Sequence, residues 1–91
     1  MADDRYYLRA RANIEVQAIH SADGESTPIL IMHRHRIYHV FSSRKIGEKR
    51  GFRNSLIEIY RVRINGRYTE VYCEDGTWFV REKKYVDEMR A

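Results

Sequence analysis

Arg61, Arg63, Tyr68, Tyr72 and Arg81 fall within one stretch of alternating apolar and polar residues, and their types suit one kind of chemistry. Guanidinium groups meet phosphate, and tyrosine rings stack on bases. A second basic group lies upstream. Residues 33–53 carry Arg34, Arg36, Arg44, Lys45, Lys49, Arg50 and Arg53 against Glu48 alone, a local +6 in a chain of net charge +4, which leaves the rest of the chain at −2. A concentrated basic segment on a mildly acidic body is the asymmetry that phosphate-binding surfaces show. The candidate nucleic-acid-binding residues are therefore Arg44, Lys45, Lys49, Arg50 and Arg53, with Tyr68 and Tyr72 as stacking platforms, and the expected ligand is DNA or RNA. A plainer reading stands beside this one: basic loops are common on solvated surfaces, and strand tyrosines ordinarily pack across strands.

Other chemistries find less support. His33 and His35 at i and i+2 would share a face of a straight strand, as metal-ligating imidazoles can. The segment HRHR falls where the chain must turn, however, with no Asp, Glu or Cys close in sequence to complete a ligand set, and His20 and His39 stand apart. No metal site is expected. Cys73 faces Trp78 across a hairpin and reads as a small buried hydrophobe rather than a nucleophile. A dinucleotide fingerprint, a P-loop, a zinc-protease helix and a serine elbow are all missing from the chain, and its carboxylates form no convergent pair for acid and base work. No cofactor is expected, and an enzyme is the least supported class.

The elements that position these side chains are legible around two turns. Asn65-Gly66 and Asp75-Gly76 supply positive φ at least steric cost, so each marks a two-residue hairpin and sets a register. Counting outward pairs Arg61 with Glu70, Arg63 with Tyr68 and Ile59 with Tyr72 around the first turn, and Tyr72 with Phe79, Val71 with Val80 and Glu70 with Arg81 around the second. Three rows across three strands follow: Tyr60-Val71-Val80, Ile59-Tyr72-Phe79 and Arg61-Glu70-Arg81. The last sets a carboxylate between two guanidinium groups, a structural ladder worth roughly 0.2–1 kcal/mol per pair. Tyr60 and Trp78 share one face, and Tyr72 and Phe79 the other. Either the tail or the N-terminus covers the second face, or that face is an interface for a second copy or another protein.

Upstream, Ile14, Val16 and Ala18 alternate with polar neighbours as a half-buried strand does. Pro28 belongs at the start of the next strand, 29–33, followed by 36–41. Residues 5–12 fit either a frayed strand or a short helix. Residues 42–55 hold two glycines, three serines and five basic residues, which predicts a long hairpin arm or a mobile loop. Strands at 56–64, 67–74 and 77–82 complete the set, and the tail KKYVDEMRA predicts a short helical turn.

Six strands in 91 residues predict one all-β domain over 1–91, a small, strongly bent antiparallel sheet or partly open barrel. Charged residues make up 33% and mean hydropathy is −0.68, yet 43% of residues are apolar and seven are tyrosine, too aromatic for a disordered chain. One cysteine excludes an intramolecular disulfide, Met1 to Asp4 lack a basic leader pattern, and no stretch approaches the length of a membrane span, so a cytoplasmic domain with no membrane partner is expected.

The order of short motifs resembles a bacterial family of short β-rich domains of unknown function. The matching residues are Ile14 to Val16, the Asp23-Gly24 turn, Pro28, Arg36-x-Tyr38-x-Val40, the YRVR of 60–63, a VY strand with an acidic turn, and the closing WFVRE, over about residues 13–83. Similar domains are appended to some Y-family DNA polymerase-like proteins, so the resemblance implies a β fold and a link to DNA transactions. The family usually has a glycine in the hairpin where this chain has His33-Arg34-His35, and the segment 42–55 has no counterpart in it. No catalytic residues carry over.

Overall fold

The computed structural model describes residues 7–85, with side chains over residues 10–82. These residues form seven strands: β1 (Tyr7–His20), β2 (Ser26–His33), β3 (Arg36–His39), β4 (Ser42–Arg50), β5 (Leu56–Ile64), β6 (Arg67–Glu74) and β7 (Thr77–Tyr85). Among the described residues one 3-10 turn is present, at Phe52–Asn54. The strands form one all-antiparallel sheet in the order β3-β2-β1-β7-β6-β5-β4, curled into a half-barrel. The all-β class and the bent sheet agree with the sequence expectation.

Strand directions explain the curl. Because every neighbouring pair is antiparallel, β3 and β4 run the same way although they lie at opposite edges. Only Val40 and Phe41 separate them, so residues 36–50 are one strand that changes partner. The Val40 N–H donates to the Ile29 carbonyl at 3.0 Å, and the Phe41 N–H donates to the Arg63 carbonyl at 2.9 Å. β1 does the same, pairing with β7 through Ile14 and with β2 from Glu15 onward. Strands that switch partners make corners, and two corners fold this sheet over its own inner face.

That face holds the core: Ile14, Ile31, Tyr60, Val62, Val71, Cys73 and Trp78. The alternation of β5, β6 and β7 supplies most of it, with the Tyr60 and Trp78 rings 5.2 Å apart. On the outer face Phe79 is fully buried, stacked on Tyr72 at 5.2 Å with the Arg11 guanidinium 3.8 Å over its ring. A β1 arginine thus takes part in the cover expected from a terminus.

At four places the structure departs from the sequence reading or decides between alternatives that it held open. Residues 42–55, expected as an arm or loop, instead form β4 and the 3-10 turn, because β5 offers a continuous partner and tertiary pairing outweighs weak strand propensity. β4 shows the features of a protected edge: a bulge at Lys45/Gly47 and an abundance of charge. Residues 7–12, left open between strand and helix, belong to β1. Residues 83–85, expected to start a helical turn, continue β7, and the rest of that tail lies outside the described residues.

The fourth departure matters most. β6 and β7 pair only at Tyr72/Phe79, Cys73/Trp78 and Glu74/Thr77. Beyond that, β7 follows β1, so Val80 faces Ala12 and Arg81 faces Arg11. The row Ile59-Tyr72-Phe79 forms, while Tyr60-Val71 and Arg61-Glu70 form without their β7 members. The sheet therefore opens between β6 and β7.

The β2–β3 hairpin turns through Arg34 and His35 at φ 53° and 63°, positions that favour Asn and Gly and cost on the order of 1–3 kcal/mol each for other residues. Glu82 on β7 holds this turn. Its carboxylate contacts His33 Nε2 at 3.2 Å and accepts from the Arg34 guanidinium at 3.0 Å. The His33 hydrogen bond, with the Arg34 charge, holds the Glu82 carboxyl below the usual carboxylate range. A depressed folded-state value stabilises the fold above the unfolded pKa, and that stabilisation is lost as pH falls through the folded value. Glu82→Gln should therefore melt below the parent at neutral pH, with the difference vanishing in acid.

Hairpin geometry gives a second prediction. Because Ile64 and Arg67 close a two-residue turn, the amides of Arg67, Thr69 and Val71 point to β5, while those of Tyr68 and Glu70 point into the β6–β7 opening. Hydrogen exchange should find the first three protected and the last two fast. Protection at Tyr68 and Glu70 would mean that the sheet is closed there.

Candidate nucleic-acid interface

Register alone brings the outer-face side chains together. Arg44 faces Arg61, Ser42 faces Arg63, Arg61 faces Glu70 and Arg63 faces Tyr68. Beside them, where β7 leaves β6, lies an open depression of about 810 Å³ lined by Arg44, Arg61, Tyr68, Glu70, Tyr72 and Arg81, with Ser42, Ser43 and Thr69. Arg81 packs 5.7 Å from the Tyr72 ring centroid, and Lys49 approaches the same ring at 5.4 Å. Tyr72 donates its hydroxyl proton to Glu70 at 2.9 Å.

Like charges facing one another across strands are destabilising, so their treatment is informative. Glu48 faces Glu58 on β4 and β5, and the Lys45 ammonium sits between them at 2.5 and 3.0 Å. Those hydrogen bonds raise the Lys45 pKa and, together with the Lys45 charge, lower that of Glu48. Arg11 faces Arg81, and Arg11 is taken up by Glu74 at 2.6 Å. Glu74 also accepts from the Ser55 hydroxyl, which with Arg11 holds its carboxyl below the usual range. Gly51 belongs to this corner, because a Cβ there would run into Glu74 and Ile57. The Arg44/Arg61 pair differs from both. Among the described residues no carboxylate lies within ion-pair distance of either guanidinium.

The seven candidates from the sequence divide accordingly. Arg44, Tyr68 and Tyr72 line the depression, and Lys49 lies over Tyr72 beside it. Lys45 is committed to Glu48 and Glu58. Arg50 donates to the Asn54 carbonyl at 3.3 Å, and Arg53 takes a left-handed conformation in the 3-10 turn, 5.8 Å from the exposed Phe52 ring. Arg81, read as one end of a ladder with Glu70, lines the depression and pairs across to β1 instead. Phe41 was missed. It is 80% exposed, with the Arg63 guanidinium 5.4 Å from its ring, and only the partner change at Val40 and Phe41 brings the two together.

Cys73 is buried, and burial raises its thiol pKa, which works against a thiolate nucleophile. Among the described residues no group of three or more His, Cys, Asp or Glu is placed to hold a metal, and no helix is long and apolar enough to cross a membrane. No family model, curated protein or solved structure matches the chain.

The geometry separates Lys45 from Arg44, its neighbour in sequence. Lys45→Ala should lower the melting temperature by leaving Glu48 and Glu58 opposed, and should leave any polyanion affinity of the outer face near that of the parent. Arg44→Ala should show the reverse: an unchanged or higher melting temperature, read by circular dichroism, with weaker polyanion binding.

Proposed function

We propose that this domain is a non-catalytic, cytoplasmic nucleic-acid-associated module that binds the phosphate backbone on the outer face of its sheet. The observation that supports this best is the Arg44/Arg61 pair, two guanidinium groups set side by side with no carboxylate of the described residues within ion-pair distance, Glu70 opposite Arg61 being bonded to the Tyr72 hydroxyl, and with an exposed tyrosine beside them. Repulsion between them is relieved by a bound anion, and a chain of phosphates relieves several such contacts at once. Arg81 and Lys49 widen the cationic surface. Contacts of this kind position a strand without reading its sequence, so affinity is general rather than specific. The phosphate contacts expected of a flexible basic arm pass instead to side chains on rigid strands. A link to DNA transactions, as the family resemblance implies, fits this role.

A second reading is self-association through a sheet edge. It is favoured by Ile37 and Phe52, 62% and 87% exposed, on and beside the edge segments β3 and β4. Light scattering separates the two, since self-association requires a dimer without ligand.

Fluorescence anisotropy of a labelled oligonucleotide against salt tests the main proposal. Log K should fall by roughly 0.7–0.9 per phosphate contact for each log unit of salt. Arg44→Ala and Arg61→Ala should each flatten that slope by about one contact and weaken binding evenly across sequences. A parent chain that fails to bind at low salt, or variants with an unchanged slope, would overturn it.

A further inference from the structure

We infer that the nucleic acid held on this face is a single strand, and that its unpaired bases stack on Phe41 and Tyr68. This rests on the phosphate-binding role proposed above and goes past it, because arginines alone accept a duplex as readily as a single strand.

Phe41 and Tyr68 are 80% and 66% exposed, and neither belongs to the inner core. A single exposed aromatic residue is ordinary on a protein surface. The arrangement here is less so, because one guanidinium, that of Arg63, lies close to both rings, 5.4 Å from the Phe41 centroid and 5.8 Å from that of Tyr68. Backbone pairing holds all three in place: the Phe41 N–H donates to the Arg63 carbonyl at 2.9 Å, and Arg63 and Tyr68 are direct cross-strand partners. Tyr68 stands on β6, and Phe41 sits in the two-residue link between β3 and β4 with its backbone tied to β5, so both rings are preorganised as platforms.

Tyr68 also lines the depression that holds Arg44 and Arg61, and Arg63, close to both rings, links Phe41 to it. A hydrophobic ring gains from a base face only if that face is open. A duplex buries its base faces in its own stack, whereas a single strand presents them, with a phosphate between successive bases for an intervening cation. Phe41 and Tyr68 supply two rings, and Arg63 a cation close to both. Stacking is tolerant of base identity, so both DNA and RNA single strands satisfy it.

Anisotropy at low salt on the full chain tests the inference with three labelled ligands of equal phosphate count: an oligodeoxyadenylate, a hairpin duplex and a fully abasic strand. The duplex and the abasic strand should bind about 10-fold or more weaker than the oligodeoxyadenylate. Phe41→Ala and Tyr68→Ala should each weaken oligodeoxyadenylate about 5- to 100-fold and leave the abasic strand unaffected, and Phe41→Trp should retain parental affinity. Both side chains are exposed, so the variants should melt with the parent. Fluorescence of 2-aminopurine within the strand, quenched on binding to the unaltered protein, reads stacking without any substitution. Equal binding of all three ligands, or no quenching, overturns the stacking inference and leaves phosphate binding standing. No binding of any ligand at low salt overturns both.

Discussion

All seven strands belong to one sheet, so its inner apolar face has no second layer to pack on and must be covered by the sheet's own curvature, and everything else in the structure follows from how that curvature is made. Two strands change partner midway: β1 between β7 and β2, and residues 36–50 between β2 and β5. These handovers bring Ile14 and Ile31 over Tyr60, Val62, Val71 and Trp78 and, among the described residues, close the core without an α-helix or a disulfide. They also decide what the outer face displays. Phe41 stands exposed because it is the residue at which one handover occurs, and Arg81 turns away from Glu70 because β7 follows β1 through the other.

The opening between β6 and β7 is the structural consequence with the greatest functional weight. Thr69 lines the outer depression and also the apolar inner mouth formed by Ile14, Ile31, Tyr38, Ile64, Val71 and Val80. A closed ladder would fill that space with hydrogen-bonded backbone and a carboxylate shared by two arginines. Its absence leaves a concave cationic surface with open aromatic rings. Two other opposed like-charge pairs are compensated, by Lys45 between Glu48 and Glu58 and by Glu74 at Arg11, whereas among the described residues no carboxylate pairs with Arg44 or Arg61, which makes that pair stand out as a local conflict. Conflicts of this kind concentrate where a surface meets a ligand.

Much of the fold was legible because its determinants are local. Asn65-Gly66 and Asp75-Gly76 adopt the positive φ that their residue types predict, and the first turn carries its register from Ile64 back to Ile57 and through all of β6. The division of faces was equally plain, since alternation is a property of the strand itself: Tyr60 with Trp78 inside, Tyr72 with Phe79 outside. β4 was not legible. Its glycines, serines and charges describe a loop when read alone, and what makes it a strand is the continuous partner offered by β5.

The candidate site divides along the same line. By its own residue types and spacing the chain determined that arginines and tyrosines would share the outer face of one meander, because the period of two and the hairpin turns act over a few residues. Only the tertiary structure decided which cations remain available: it committed Lys45 to two glutamates and Arg50 to a carbonyl, set Arg44 against Arg61, and brought Phe41 to Arg63. The physical reason is that a cross-strand neighbour is chosen by where strands bend and change partner, and that choice is made by the covering of the core, a requirement that no short window of residues contains.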